Sequence, residues 1–109
     1  MLNKVTLIGR LGKDPDQKEK FTKLLLATTR KYKGDETTEW HNIVTFGKTA
    51  EVCGQYLEKG RLIAVEGRIQ TRKYEASDGT TRYNTEIIAD GVTFLGGGQK
   101  RAGSDSDFP

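Results

Sequence analysis

Aromatic rings and cations recur side by side in this sequence: Arg30-Lys31-Tyr32-Lys33, Trp40 and Phe46 with Lys48, and Arg72-Lys73-Tyr74. An exposed ring offers a π-face to a flat heterocycle, and a neighbouring Lys or Arg attracts phosphate. That combination suits a single nucleic-acid strand, because a duplex keeps its base faces hidden. The candidate stacking residues are Tyr32, Trp40, Phe46 and Tyr74. The candidate phosphate contacts are Lys4, Arg10, Arg30, Lys31, Lys33, Lys48, Arg72, Lys73 and Arg82. Each has a plainer reading: Trp40 and Phe46 as core, the tyrosines as ordinary strand surface, the cations as a solvated face. What favours binding is the repetition of ring beside cation.

Catalytic chemistry finds little support. His41 is the only histidine and Cys53 the only cysteine, so neither a histidine-based metal site nor a disulfide can be built. Asp14 and Asp16 flank Pro15 as turn residues do, and no glycine-rich phosphate loop opens a helix. Neither an enzyme, a metal nor a cofactor is expected. A metal-dependent nuclease and a protein-binding adaptor remain rival readings, although an adaptor has no need of four outward rings.

The segment Thr38–Lys48 must position two of the rings. It alternates, with Trp40, Asn42, Val44, Phe46 and Lys48 on one side and His41, Ile43 and Thr45 on the other. Alternation alone leaves open which side is core. The rest of the chain supplies an interior from Val5, Leu7, Leu26, Ile63, Val65 and a helical stripe, which frees Trp40 and Phe46 to face outward. His41 then turns towards the core or a subunit contact. Residues 3–11 form a first strand, bent or bulged at Gly9 and Gly12. Asp14-Pro15-Asp16 opens a polar loop continued by residues 17–20, and Phe21 starts the return. Residues 24–29 form a central second strand.

Thr49 is expected to cap a short helix over 50–59, with the pairs Val52/Tyr56 and Cys53/Leu57 facing inward and Gly60 closing its C-terminus. Residues 61–69 form a fourth strand in which Ile63, Val65 and Ile69 share a face. Asp78-Gly79, between polar alternating arms, predicts a hairpin over 70–84 that projects into solvent. Residues 85–95 form the fifth strand. Five strands with one short helix between the third and fourth predict an all-β, five-stranded OB-fold barrel with a projecting β-hairpin.

With 109 residues the chain makes one domain, expected over 1–96 with a short disordered tail over 97–109. Only 34% of residues are hydrophobic, so the core is economical or completed by a partner chain. The net charge of +3 permits a polyanion partner without requiring one. The absence of an apolar run of about 18 residues argues against a membrane role and for a cytosolic protein.

The motifs taken together resemble the bacterial-type single-stranded DNA-binding protein (SSB) family. Asn3-Lys4-Val5 through Gly9, Leu11-Gly12 and Asp14-Pro15 look like its N-terminal signature. Thr38-Glu39-Trp40-His41 with Phe46-Gly47-Lys48 looks like its central motif. Leu57 to Gly60, Glu66-Gly67, Thr71-Arg72-Lys73-Tyr74 and Thr85-Glu86 continue the match in order. The resemblance covers roughly residues 1–95. It implies an OB fold, usually a homotetramer, that coats single-stranded DNA in replication, recombination and repair, in the cytoplasm and associated with the nucleoid. The family's stacking aromatics fall on Tyr32, Trp40, Phe46 and Tyr74. Relatives commonly carry tryptophan at the positions of Tyr32 and Tyr74, so the smaller rings here imply weaker binding per base. The family's acidic tip, which recruits replication and repair proteins, ends in Pro-Phe. Here Asp105, Asp107, Phe108 and Pro109 supply the acids but reverse that order.

Overall fold

A computed structural model of the chain describes residues 1–96. The expectations placed on 97–109, including the partner-binding role of Asp105, Asp107, Phe108 and Pro109, lie outside the described residues. The elements follow in the order β1 (Val5–Leu11), β2 (Asp16–Gln17), β3 (Phe21–Tyr32), β4 (Asp35–Phe46), α1 (Gly47–Tyr56), β5 (Leu62–Glu75) and β6 (Thr81–Phe94). The polar loop after Pro15 therefore contains a two-residue strand, which pairs with β3 through Asp16–Lys23 and Gln17–Thr22.

The strands run β1-β5-β6-β4-β3 across one sheet, and β1 pairs back onto β3 to close a five-stranded barrel. Antiparallel pairing links every neighbour except β4 and β6, which run parallel through Ile43–Ile87 and Val44–Ile88. This is an OB-type barrel. The short helix stands between β4 and β5, which are the third and fourth of its five long strands. Closure depends on Gly9: a methyl group there would overlap the Ala27 carbonyl, so only glycine lets β1 and β3 approach.

Leu11, Leu24, Leu26, Ile43, Cys53, Leu57, Ile63, Val65 and Ile87 fill the interior, with Val5 and Leu7 packed against them. Two buried hydroxyls are satisfied locally. Thr22 donates to the Ala50 carbonyl at 2.8 Å, and Thr45 donates to the Thr22 carbonyl at 2.9 Å. Helix, β3 and β4 are thereby tied together at one end of the barrel.

Several local expectations require correction. The helix begins at Gly47, not near residue 50; Phe46 occupies its N-cap position, and neither Thr49 nor any other side chain caps it. Its inward stripe is Ala50, Cys53 and then Leu57, while Tyr56 is exposed. It ends three residues before the expected point because Leu57 turns into extended backbone to reach the core. Gly60, at φ +91°, serves the following turn and donates to the Leu11 carbonyl at 2.9 Å, so it is not the helix cap. Ile69 keeps the alternation of Ile63 and Val65 but is exposed, since β5 has by then left the barrel. There the Asn3 side chain exchanges two hydrogen bonds with the Ile69 backbone, extending the sheet edge. The hairpin arms prove continuous with the barrel strands, so β5 and β6 run to 14 residues each and meet at the Asp78-Gly79 turn.

Burial pushes the Cys53 thiol from 9.0 up to about 11. The neutral thiol is the form the core accommodates, so this contribution to stability is whole below about pH 9. It is lost as the pH rises towards 11, because the unfolded chain ionises first. A thiol reagent at pH 8 is expected to label the protein only in denaturant. Between pH 9 and 11 the melting temperature should fall more steeply for the native sequence than for Cys53→Ala.

Candidate nucleic-acid interface

Residues paired directly across neighbouring strands share a face of the sheet. On the outside of the barrel, β3 pairs Phe21 with Phe46, Lys23 with Val44, Leu25 with Asn42 and Ala27 with Trp40. Val44 continues across to Ile88 of β6. From there β6 and β5 pair Ile88 with Arg68, Glu86 with Gln70, Asn84 with Arg72 and Arg82 with Tyr74. One outward face, four strands wide, thus carries Phe46, Trp40 and Tyr74 together with Lys23, Arg68, Arg72 and Arg82. Val44 and Ile88 lie buried in its middle, outside the main core cluster.

Trp40, Phe46, Tyr74 and Tyr32 are 57%, 51%, 50% and 67% exposed. Three share the outer face, but Tyr32 does not. It pairs with Asp35 in the alternate set, beside the turn of the β3–β4 hairpin, with Lys33 Nζ 5.4 Å from its ring centre. Twist, which alternation does not register, decides how far that hairpin brings Tyr32 towards the other rings.

Small neighbours hold Trp40 in place. Ala27 stands opposite it, and the benzo edge of the indole lies against Gly12, where a methyl group would overlap it. Gly12 is itself fixed by donating to the Leu25 carbonyl at 2.9 Å. Gly12→Ala should therefore displace an exposed ring without opening the core. The expected result is a shifted Trp40 emission spectrum and weakened oligonucleotide binding, with a melting temperature close to that of the native protein.

The candidate cations divide by their partners. Arg30, Lys31 and Lys33 are exposed on the β3–β4 hairpin and form no ion pair among the described residues. Lys4 pairs with Glu66 at 3.8 Å, and Arg10 donates to the Gly60 carbonyl at 3.0 Å. Lys48 was expected to extend the row of Trp40 and Phe46. The strand stops at Phe46, however, and Lys48 stands in the first helical turn, bonded to Glu51 at 3.2 Å. Lys73 is across from Tyr83, on the face opposite Tyr74. Arg82 contacts Asp78 and Thr80, and the Thr80 hydrogen bonds hold the Asp78 carboxyl below its usual range.

Arg72 is the most constrained cation. Its Nε and an Nη donate to the two oxygens of Glu86 at 3.1 and 3.2 Å, and Asn84 adds a bond at 3.2 Å. The Glu86 residue is only 3% exposed, so a buried carboxylate anchors a guanidinium on the outer face. His41 is half-buried, with Nε2 2.8 Å from the Thr28 hydroxyl.

Four residues on these surfaces escaped sequence reasoning: Phe21, Lys23, Arg68 and Tyr83. A usable signal existed for Phe21 and Lys23, because Lys20-Phe21-Thr22-Lys23 repeats the ring-beside-cation pattern. No group of three or more His, Cys, Asp or Glu residues suited to a metal occurs among the described residues, and none of their helices is long and apolar enough to cross a membrane.

Compared with known proteins, the sequence matches the single-strand binding protein family over residues 2–95. The chain belongs to that family. Among its relatives, the single-stranded DNA-binding protein of Clostridium tetani is 44% identical, over 98% of this chain and 79% of its own length. That of Neisseria meningitidis serogroup A is also 44% identical, over 94% of this chain and 64% of its own length, so the relatives differ in how much of them this chain spans. A solved structure of this family, described as Plasmodium falciparum SSB in complex with ssDNA, superposes with a TM-score of 0.78 at 32% identity. The match covers 87% of this chain and 96% of that one. The SSB barrel is thus shared almost whole.

Proposed function

We propose that this SSB-family protein is a non-enzymatic binder of single-stranded DNA that holds the strand without reading its sequence. The observation that carries the reading is three half-exposed rings on one outward face, interleaved with cations from three strands. Bases stack on Trp40, Phe46 and Tyr74, and Tyr32, in the alternate set near the turn of the β3–β4 hairpin, is a further stacking contact. Arg30, Lys31 and Lys33 supply its most available positive charge, with Lys4, Arg10, Lys48, Arg72, Lys73 and Arg82 as further contacts. Stacking accepts every base, because each has a π-face, and phosphate attraction is equally indifferent to sequence. The DNA relatives named above support the same chemistry.

A titration of oligo-dT across a range of salt concentrations tests this. Binding should weaken steadily, with a logarithmic slope of about −0.7 for each phosphate neutralised. Affinity independent of salt would remove the electrostatic half of the reading.

Self-association into a homotetramer, coating of DNA in replication, recombination and repair, and a cytoplasmic, nucleoid-associated location extend the proposal. Exposed Leu2, Ile8 and Tyr83 supply apolar surface for a second copy, and His41 is a candidate subunit contact. The acidic end with Phe108 and Pro109 is a candidate recruiter of replication and repair proteins, on sequence grounds alone. Molecular mass in solution, with and without long poly-dT, separates a tetramer from a monomer.

A further inference from the structure

We infer that Phe21 walls a pocket for one nucleotide base beside Phe46, and that Phe21 is therefore a further DNA-binding residue of this chain. The inference rests on the single-strand-binding reading and adds a defined subsite to it. Phe21 and Phe46 are direct cross-strand partners on the outer face. Their ring centres are 6.1 Å apart and their planes meet at 52°, so they form a corner, not a closed stack. Rings this close admit no base between them, and the half-exposed Phe46 is left to stack a neighbouring base of the same strand.

A cavity of about 390 Å³ opens beside Phe21, bounded by residues 17–22 on one side and by Gly47, Ala50 and Glu51 on the other. That is within the range of small-ligand sites, roughly 300–1,000 Å³, and ample for one base. Its apolar wall is Phe21 and its floor includes Thr22 and Ala50, while Lys18 and Lys20 stand at the rim. Lys18 also contacts Asp16 at 3.4 Å, and Glu19 and Glu51 share the lining, so charge alone does not define the site. Lys23 adds a cation 5.9 Å from the centre of the Phe21 ring. The occupant this chemistry selects is a flat, neutral base whose backbone phosphates pass the lysines, continuing the strand that stacks on Phe46.

Phe21→Leu preserves the apolar volume and removes the planar face. Oligo-dT affinity of Phe21→Leu, Phe46→Ala and the double variant would be compared with the native protein by anisotropy, beside their melting curves. The pocket predicts a loss of about fivefold or more for Phe21→Leu. It also predicts a double variant that loses less than the product of the single losses, because the two rings are in contact and serve one stretch of strand. If the native protein binds oligo-dT and Phe21→Leu binds within twofold of it, the pocket is refuted and the wider reading stands. If the native protein does not bind, the wider reading fails and the pocket with it. Should Phe21→Leu melt early, photocrosslinking the native protein to oligonucleotide bearing 5-iododeoxyuridine decides the matter. Crosslinked Phe21 supports the pocket; crosslinks at Trp40 and Phe46 without Phe21 overturn it.

Discussion

Trp40→Ala is expected to weaken oligo-dT binding by between about fivefold and 150-fold while leaving the melting temperature nearly unchanged. The binding loss follows from stacking, worth roughly 1–3 kcal/mol per base. The structural indifference follows from placement. The indole is 57% exposed, and its contacts are Gly12 and the sheet surface near Ala27, not the core. An oligonucleotide anisotropy titration and a melting curve on the same preparation check both halves. A variant that binds normally but unfolds early would make Trp40 a structural residue. Phe46→Ala belongs to the same class, though Phe46 also borders Phe21 and the start of the helix, so a modest loss of stability should accompany the loss of binding.

Arg72→Ala is expected to behave in the opposite way, with a large cost in stability beyond any loss of binding. Removing the guanidinium leaves the buried Glu86 carboxylate with only the Asn84 amide for a partner. Orphaning one member of a buried ion pair costs about 3–5 kcal/mol. Arg72 is itself about half exposed, so water relieves part of this and a smaller cost, about 2–3 kcal/mol, is expected. For a domain of this size, that lowers the melting temperature by roughly 10–20 °C. Glu86→Gln in the same background should recover most of the loss, since the charge is gone while hydrogen bonding remains. Urea denaturation of the single and double variants at one protein concentration reads this directly. Native-like unfolding of Arg72→Ala would mean that Arg72 serves the surface alone.

This division between Trp40 and Arg72 marks where sequence reasoning reached its limit. Alternation along β4 was enough to place Trp40 and Phe46 outward, because period two fixes the face once the interior is assigned. The barrel was legible for the same reason: apolar alternation in each long strand and a short helix between β4 and β5 leave few other architectures. The partners of Arg72 were not legible. Its carboxylate is 14 residues away, and only the β5–β6 register, with its irregularity at Glu66/Gly67, sets the two side by side. Lys48 was misplaced because Gly47, at φ +61°, ends the strand in a single step, and nothing in the alternation of TEWHNIVTFGK announces it. Tyr32 was grouped with the other rings by composition, although its position in the register sends it to the alternate set. Phe21 was passed over because its partner, Phe46, is 25 residues distant and is met only through the pairing of β3 and β4.

The measurement that reaches the central claim most directly is fluorescence titration through Trp40, the sole tryptophan of the chain. At low salt, oligo-dT should quench the indole to saturation, and a duplex of equal length should bind far more weakly because its base faces are closed to Trp40 and Phe46. No quenching by oligo-dT, or equal binding of the duplex, would contradict the account.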